Sequence, residues 1–182
     1  MLRRWKIREQ DAAAASALSA AMELPPILGR VLSARGYRSA EAAMAFLDTS
    51  LSRCHDPWSL DGMRVAVERA SLAIRNRERI VIFGDYDVDG VTSSALLVKL
   101  FRLLGGTVEF YIPDRLKEGY GPNVVAFRAL RQAGATLVIT VDCGINAVEE
   151  AKAAREMGLD LIVTDHHLPG PVLPDALAVI NP

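Results

Sequence analysis

The chain has 182 residues, 51% of them hydrophobic, which suits one ordinary domain or a compact domain with a small appendage. Twenty-one basic residues stand against 22 acidic ones, so net charge alone does not announce a nucleic-acid binder, and no run reaches the about 18 to 20 apolar residues that span a bilayer. Cys54 and Cys143 are the only cysteines and lack metal-type spacing, so neither a disulfide framework nor a thiolate zinc site is indicated and a reducing cytoplasm is the expected compartment.

In chain order, residues 1–78 read as a helical N-terminal region. Apolar residues recur at helical spacing over 11–22, 38–47 and 62–77, and the segments Leu24-Pro25-Pro26-Ile27 and Asp56-Pro57-Trp58 mark turns between them. The alanine-rich part of the first helix lies between Asp11 and Glu23, a flanking that fits a helix and not a signal peptide. From Arg79 onward the pattern alternates. Strands are expected at 79–84, 107–112, 136–141, 160–164 and near 178–180, with helices at 91–104, 122–133 and 145–157 between the first four. Such alternation predicts an α/β domain over 79–182: a parallel sheet flanked by helices and joined by right-handed crossovers.

The first strand runs into Asp85-Tyr86-Asp87-Val88-Asp89-Gly90. That spacing matches the start of an EF-hand calcium loop, but the twelfth position is Leu96 where a bidentate glutamate is needed, and a strand precedes it instead of a helix. A phosphatase of the haloacid-dehalogenase type also places two aspartates with the spacing of Asp87 and Asp89 after its first strand, yet would not need the histidines described below. One of the three acids is expected to cap the following helix, and Asp85 is the candidate; three alternating acids exceed what capping requires.

Beyond the second strand, residues 113–122 offer Arg115, Lys117 and the glycine-flanked Tyr120. Arginine forks two phosphate oxygens, and glycines allow close backbone approach. The third strand ends in Asp142-Cys143-Gly144, the fourth in Asp165-His166-His167. Cys143 has no local histidine to activate it and reads as a packing residue, and His55 reads as structural.

Ligands of open α/β sheets bind beyond the carboxyl ends of the strands, so these acids and histidines are expected to converge. Carboxylates crowded together repel unless cations lie between them. Carboxylate plus imidazole suits Mn²⁺, Fe²⁺ or Zn²⁺ better than Ca²⁺. The charge is distributed accordingly: residues 80–182 hold 8 basic and 13 acidic residues, and five of those acids lie in the three strand-end motifs. Two divalent ions would nearly cancel them and let that surface accept a phosphodiester.

Together these motifs resemble the DHH phosphoesterase superfamily, and within it the branch of bacterial single-strand-specific 5′→3′ exonucleases. The likeness runs from Ala34-Arg35-Gly36-Tyr37-Arg38 and the Asp56-Pro57-Trp58 segment through the three strand-end motifs and Glu118-Gly119-Tyr120-Gly121 to Ala178-Val179-Ile180-Asn181-Pro182. It implies Asp87, Asp89, Asp142 and His166 as ligands of Mn²⁺ or Mg²⁺ in a two-metal site, with Asp142 shared. His167 is then an active-site residue near the scissile phosphate, Asp165 its support, Arg115 a phosphate clamp, Tyr120 a base-stacking candidate, and Asp85 and Gly90 structural neighbours. Phe83 stands where some members carry a histidine.

The implied substrate is single-stranded DNA in repair and recombination, with a single-strand-binding protein and a helicase as partners by resemblance, and no membrane. The family also has a further metal-binding aspartate, a linking helix, a second catalytic subdomain and an oligonucleotide-binding barrel, which this sequence lacks. The chain is therefore expected to be an N-terminal part of a larger nuclease, inactive by itself. Sibling activities on pyrophosphate, cyclic dinucleotides or very short oligonucleotides, and a non-catalytic replication role, are the alternatives. The helical region favours the DNA nuclease, and retention of every expected ligand favours catalysis.

Overall fold

The computed structural model describes residues 11–182, so the first ten residues of the expected helical region lie outside the described residues. The chain divides into two compact units, Met1–His55 and Asp56–Pro182. In the first, α1 (Ala12–Ala21), α2 (Pro26–Ala34) and α3 (Ala40–Leu47) bury Leu18, Leu32 and Ala43 together. Asp11 and Ser39 cap α1 and α3 by accepting from the N–H groups of Ala14 and Ala42. The sequence marks a turn at Pro25-Pro26, but a helix begins there. Proline at the first helical position has no N–H to lose and its φ is already helical.

The second unit opens with a 3₁₀ turn at Pro57–Ser59 and α4 (Met63–Arg75), so the expected region 1–78 spans both units. A five-stranded sheet follows: β1 (Arg79–Gly84), β2 (Thr107–Tyr111), β3 (Ala135–Val141), β4 (Asp160–Thr164) and β5 (Ala178–Ile180). All pairings are parallel, in the order β2-β1-β3-β4-β5. Helices α5 (Val88–Leu103), α6 (Arg115–Glu118), α7 (Val124–Gln132) and α8 (Val148–Glu156) complete the unit.

Strand side chains alternate between two cores, which is why β1 and β3 are apolar along their length. Ile80, Ile82, Leu137 and Ile139 face one core with Ala66 and Ala73 of α4 and Val98 and Phe101 of α5. Val81, Phe83 and Val138 face the other with Phe127 of α7 and Ala151 and Ala154 of α8. The chain leaves β1 toward β2 on one side and then returns to β3 on the other side. The topological switch point, where α/β sheets open a ligand crevice, thus lies between the carboxyl ends of β1 and β3. Among the described residues no helix is long and apolar enough to cross a membrane.

At the amino ends of the strands a polar cluster ties the sheet together. Glu78 Oε2 accepts from Arg69 Nη2 at 2.6 Å and Thr136 Oγ1 at 2.7 Å, while Arg69 Nε donates to Asp160 Oδ2 at 2.5 Å. The Arg69 bond, helped by Thr136, holds the Glu78 carboxyl below the usual glutamate range. A depressed carboxyl contributes stability that is fully present above its unfolded value of about 4.3 and is lost as pH falls through the folded value. Glu78→Gln is therefore expected to cost roughly 1 to 2 kcal/mol at neutral pH. Urea denaturation should show the gap closing below pH ~4; a gap independent of pH would contradict the assignment.

Candidate metal centre at the carboxyl ends of the sheet

Three loops meet at the switch point. After β1, Asp85 is 3% exposed and its Oδ1 has no hydrogen-bond partner. The sequence names Asp85 as the cap of the next helix, but Asp87 takes that place: its Oδ1 accepts from Asp89 N at 2.9 Å and Gly90 N at 3.1 Å. Capping from Asp87 starts α5 at Val88, three residues earlier than periodicity suggests, because the motif's own residues supply the first turn. Gly90 lies against the end of β1. A Cβ there would stand 2.4 Å from the Asp85 carbonyl oxygen.

Gly90→Ala is accordingly expected to lower stability by roughly 1 to 3 kcal/mol through overpacking, against alanine's helical advantage of about 1 kcal/mol. Urea midpoints at constant m-value measure it; an unchanged midpoint would show that α5 can shift freely.

After β3, Asp142 adopts a left-handed conformation, φ 61°, a region aspartate tolerates better than most residues, and Gly144 follows with φ 107°. This turn sets the Asp142 carboxylate at the sheet edge, 7% exposed, with Oδ1 2.9 Å from His166 Nε2 and Oδ2 without a partner. Burial and the adjacent Asp87 carboxylate raise the Asp142 pKa, whereas the Gly90 N–H lowers that of Asp87.

After β4, Asp165 is 8% exposed and saturated: Oδ2 accepts from Ile145 N at 2.9 Å, and Oδ1 from His166 N, His167 N and His167 Nδ1 at 2.7, 3.1 and 2.7 Å. Burial alone would push its pKa up, but these donors outweigh it and hold the carboxyl below its usual range. The bond from Asp165 raises the His167 pKa and leaves Nε2 for other partners.

Ligand atoms of Asp142, His166 and His167 lie within 4.8 Å of one another, and so do those of Asp85, Asp87 and Asp142. Asp142 belongs to both groups. Asp89, expected as a ligand, is exposed on the first turn of α5 and joins neither group among the described residues. The donor set of carboxylates and imidazoles, with two buried carboxylate oxygens lacking partners, fits a divalent cation.

Beside this cluster is a cleft of about 610 Å³, lined by Asp85, Asp87, Arg115, Tyr120, Asp165 and His167 among others. Arg115 stacks on Tyr86 with its guanidinium carbon 4.7 Å from the ring centroid, and Tyr120 donates to the Asp142 carbonyl at 3.4 Å while meeting His167 edge-on. Glu118 braces this loop, accepting from Tyr111 Oη at 2.5 Å and Asp114 N at 2.8 Å. Asn146 and Asn181 hold the histidine loop: Asn146 Oδ1 accepts from Gly170 N at 2.7 Å and Asn181 Nδ2 donates to the His167 carbonyl at 3.0 Å. Sequence reasoning passes over Tyr86, Asn146 and Asn181; their position beside the motifs is the signal that could have found them. Phe83 is fully buried, stacked on Tyr111 and edge-on to Phe127, and burial raises the pKa of the Cys143 thiol, whose Sγ donates to the Phe83 carbonyl at 3.8 Å.

The model of the DHH family, N-terminal domain, matches residues 79–182. The chain belongs to the DHH family. Among curated relatives it is similar to the single-stranded-DNA-specific exonuclease RecJ of Bacillus subtilis, 47% identical over 179 residues that cover 98% of this chain and 23% of the relative. RecJ of Escherichia coli is 42% identical over 162 residues, 88% of this chain and 27% of that protein. The crystal structure of Thermus thermophilus RecJ in complex with Mn²⁺ superposes with a TM-score of 0.67 and 34% identity over 93% of this chain and 23% of that one. A crystal structure of exonuclease RecJ bound to manganese gives 0.65 and 40% over 71% and 33%. This DHH-family chain thus spans about a quarter of the length of the curated relatives.

Proposed function

We propose that this chain is the part of a metal-dependent single-stranded-DNA exonuclease that carries its cation ligands, acting from the 5′ end in repair and recombination in the cytoplasm. The observation that carries the reading is the sharing of Asp142 between two ligand-spaced groups at the switch point of the sheet. Support comes from the RecJ relatives and from the RecJ structures bound to manganese.

Asp87, Asp142 and His166 would hold Mn²⁺ or Mg²⁺, with Asp89 added from the first turn of α5 as the family resemblance assigns. The chemistry that such ions would supply when bound there is activation of water, polarisation of the phosphoryl oxygens and stabilisation of the leaving 3′ oxygen. The remaining work belongs to the chain. Asp87 lines the cleft and accepts from the Asp89 and Gly90 N–H groups through Oδ1, so the N-terminus of α5 fixes the carboxylate in place. Asp165 orients His167 toward the scissile phosphate through Nδ1. Arg115, held over Tyr86, clamps a phosphate oxygen, and Tyr120 offers an aromatic surface for a base. A single-strand-binding protein and a helicase are the proposed partners.

The test is digestion of single strands by a protein of the relatives' full length that carries this chain, with Mn²⁺, Mg²⁺ or chelator, on substrates blocked at the 5′ or the 3′ end. Cation-dependent loss of nucleotides that only the 5′ block prevents is the expected result. Preferential hydrolysis of pyrophosphate or cyclic dinucleotides would transfer the assignment to a small-substrate phosphoesterase, and cation-independent hydrolysis would remove it.

A further inference from the structure

We infer that Asp85 is itself a cation ligand, the third carboxylate of the group it forms with Asp87 and Asp142. This rests on the reading of the cleft as a divalent-cation site and names a residue beyond the ligands proposed above. Three observations converge on it. The residue is 3% exposed, and its buried Oδ1 has no hydrogen-bond partner. One of its carboxylate oxygens lies within 4.8 Å of oxygens of both Asp87 and Asp142, and the residue lines the cleft. The duty an acid at this position would otherwise perform, capping α5, is already discharged by Asp87.

A buried carboxylate crowded against two further carboxylates is costly unless something positive lies between them. Among the described residues no lysine or arginine lines the cleft except Arg115, whose guanidinium is stacked on Tyr86. Asp142, a member of the same group, also has a buried oxygen without a hydrogen-bond partner, Oδ2. Asp85, Asp87 and Asp142 therefore form an all-oxygen group, chemically distinct from the Asp142, His166 and His167 group on the other side of the shared carboxylate. Hard cations such as Mg²⁺ and Mn²⁺ suit such an oxygen set.

Calorimetric titration of the 182-residue chain with Mn²⁺, alone and as Asp85→Asn and Asp142→Asn, tests the inference beside thermal melts with and without the ion. For Asp85→Asn we expect affinity weakened by about tenfold or more, an ion-free melting temperature no lower than that of the unaltered chain, and a smaller rise on adding Mn²⁺. A residue with only a packing role would instead melt lower and keep the full ion-dependent rise. Unchanged affinity in Asp85→Asn, with binding lost in Asp142→Asn, overturns the inference and leaves the cation site standing. Absence of Mn²⁺ binding to the unaltered chain overturns both. Should Asp85→Asn fail to fold, carboxyl ¹³C spectra of the unaltered chain decide: Mg²⁺ should move the Asp85 resonance together with those of Asp87 and Asp142, and an unmoved Asp85 signal overturns the inference.

Discussion

Asp142→Asn is expected to reduce hydrolysis of single-stranded DNA on the order of a thousandfold in a protein of the relatives' full length, with no loss of thermal stability. Asp142 is common to both ligand-spaced groups, so under the proposed two-ion reading removing its charge would weaken the hold on both ions together. The cost to the fold is small for a physical reason. Asparagine has the same shape, and its side chain can still pair with His166 Nε2 through the position of Oδ1. The charge removed is a buried one beside Asp87, and burial already disfavours its ionised form. In the absence of metal the substituted protein should melt at the same temperature or higher. Steady-state rates with saturating Mn²⁺, beside calorimetric melts, measure the two halves. Turnover like that of the unaltered enzyme would sink the shared-ligand assignment.

The second large effect is expected at Asp165, where the balance is reversed and folding suffers along with chemistry. Its two oxygens accept four hydrogen bonds, three from backbone N–H groups of Ile145, His166 and His167 and one from the His167 ring. An asparagine has one oxygen to offer. Its amide N–H₂ must then face either the Ile145 N–H or the donors of the histidine loop, and at least one buried donor loses its acceptor. Asp165→Asn should destabilise the fold by roughly 2 to 3 kcal/mol and, under the role proposed for His167, lower turnover by about 10- to 100-fold through loss of the partner of its ring. Urea denaturation and initial rates below the melting range separate the two. A stable protein with unchanged rate would show that Asp165 orients nothing of consequence.

The parallel sheet is legible in the sequence because β1, β3 and β4 are buried on both faces and so read as continuous apolar runs. The placement of Asp142 beside both Asp87 and His166 is legible for a related reason, since each lies within three residues of the carboxyl end of a parallel strand. What sequence misplaces is decided by local hydrogen bonds and backbone geometry. Periodicity cannot tell which of three alternating aspartates caps α5, and the left-handed turn at Asp142 carries no signal of its own, because aspartate also occupies ordinary conformations. The helix starting at Pro26 is hidden behind a proline pair that reads equally well as a turn. The braces at Glu118, Asn146 and Asn181 bridge residues brought together by the loops, including pairs more than twenty positions apart. No spacing rule reaches them.

The most direct measurement is anomalous diffraction at the manganese edge from crystals of this chain grown with Mn²⁺. A peak is expected at the carboxyl ends of β1, β3 and β4, within coordination distance of Asp142 and bounded by Asp87 and His166. A map with no peak there, or with manganese only at surface carboxylates away from the cleft, would contradict it.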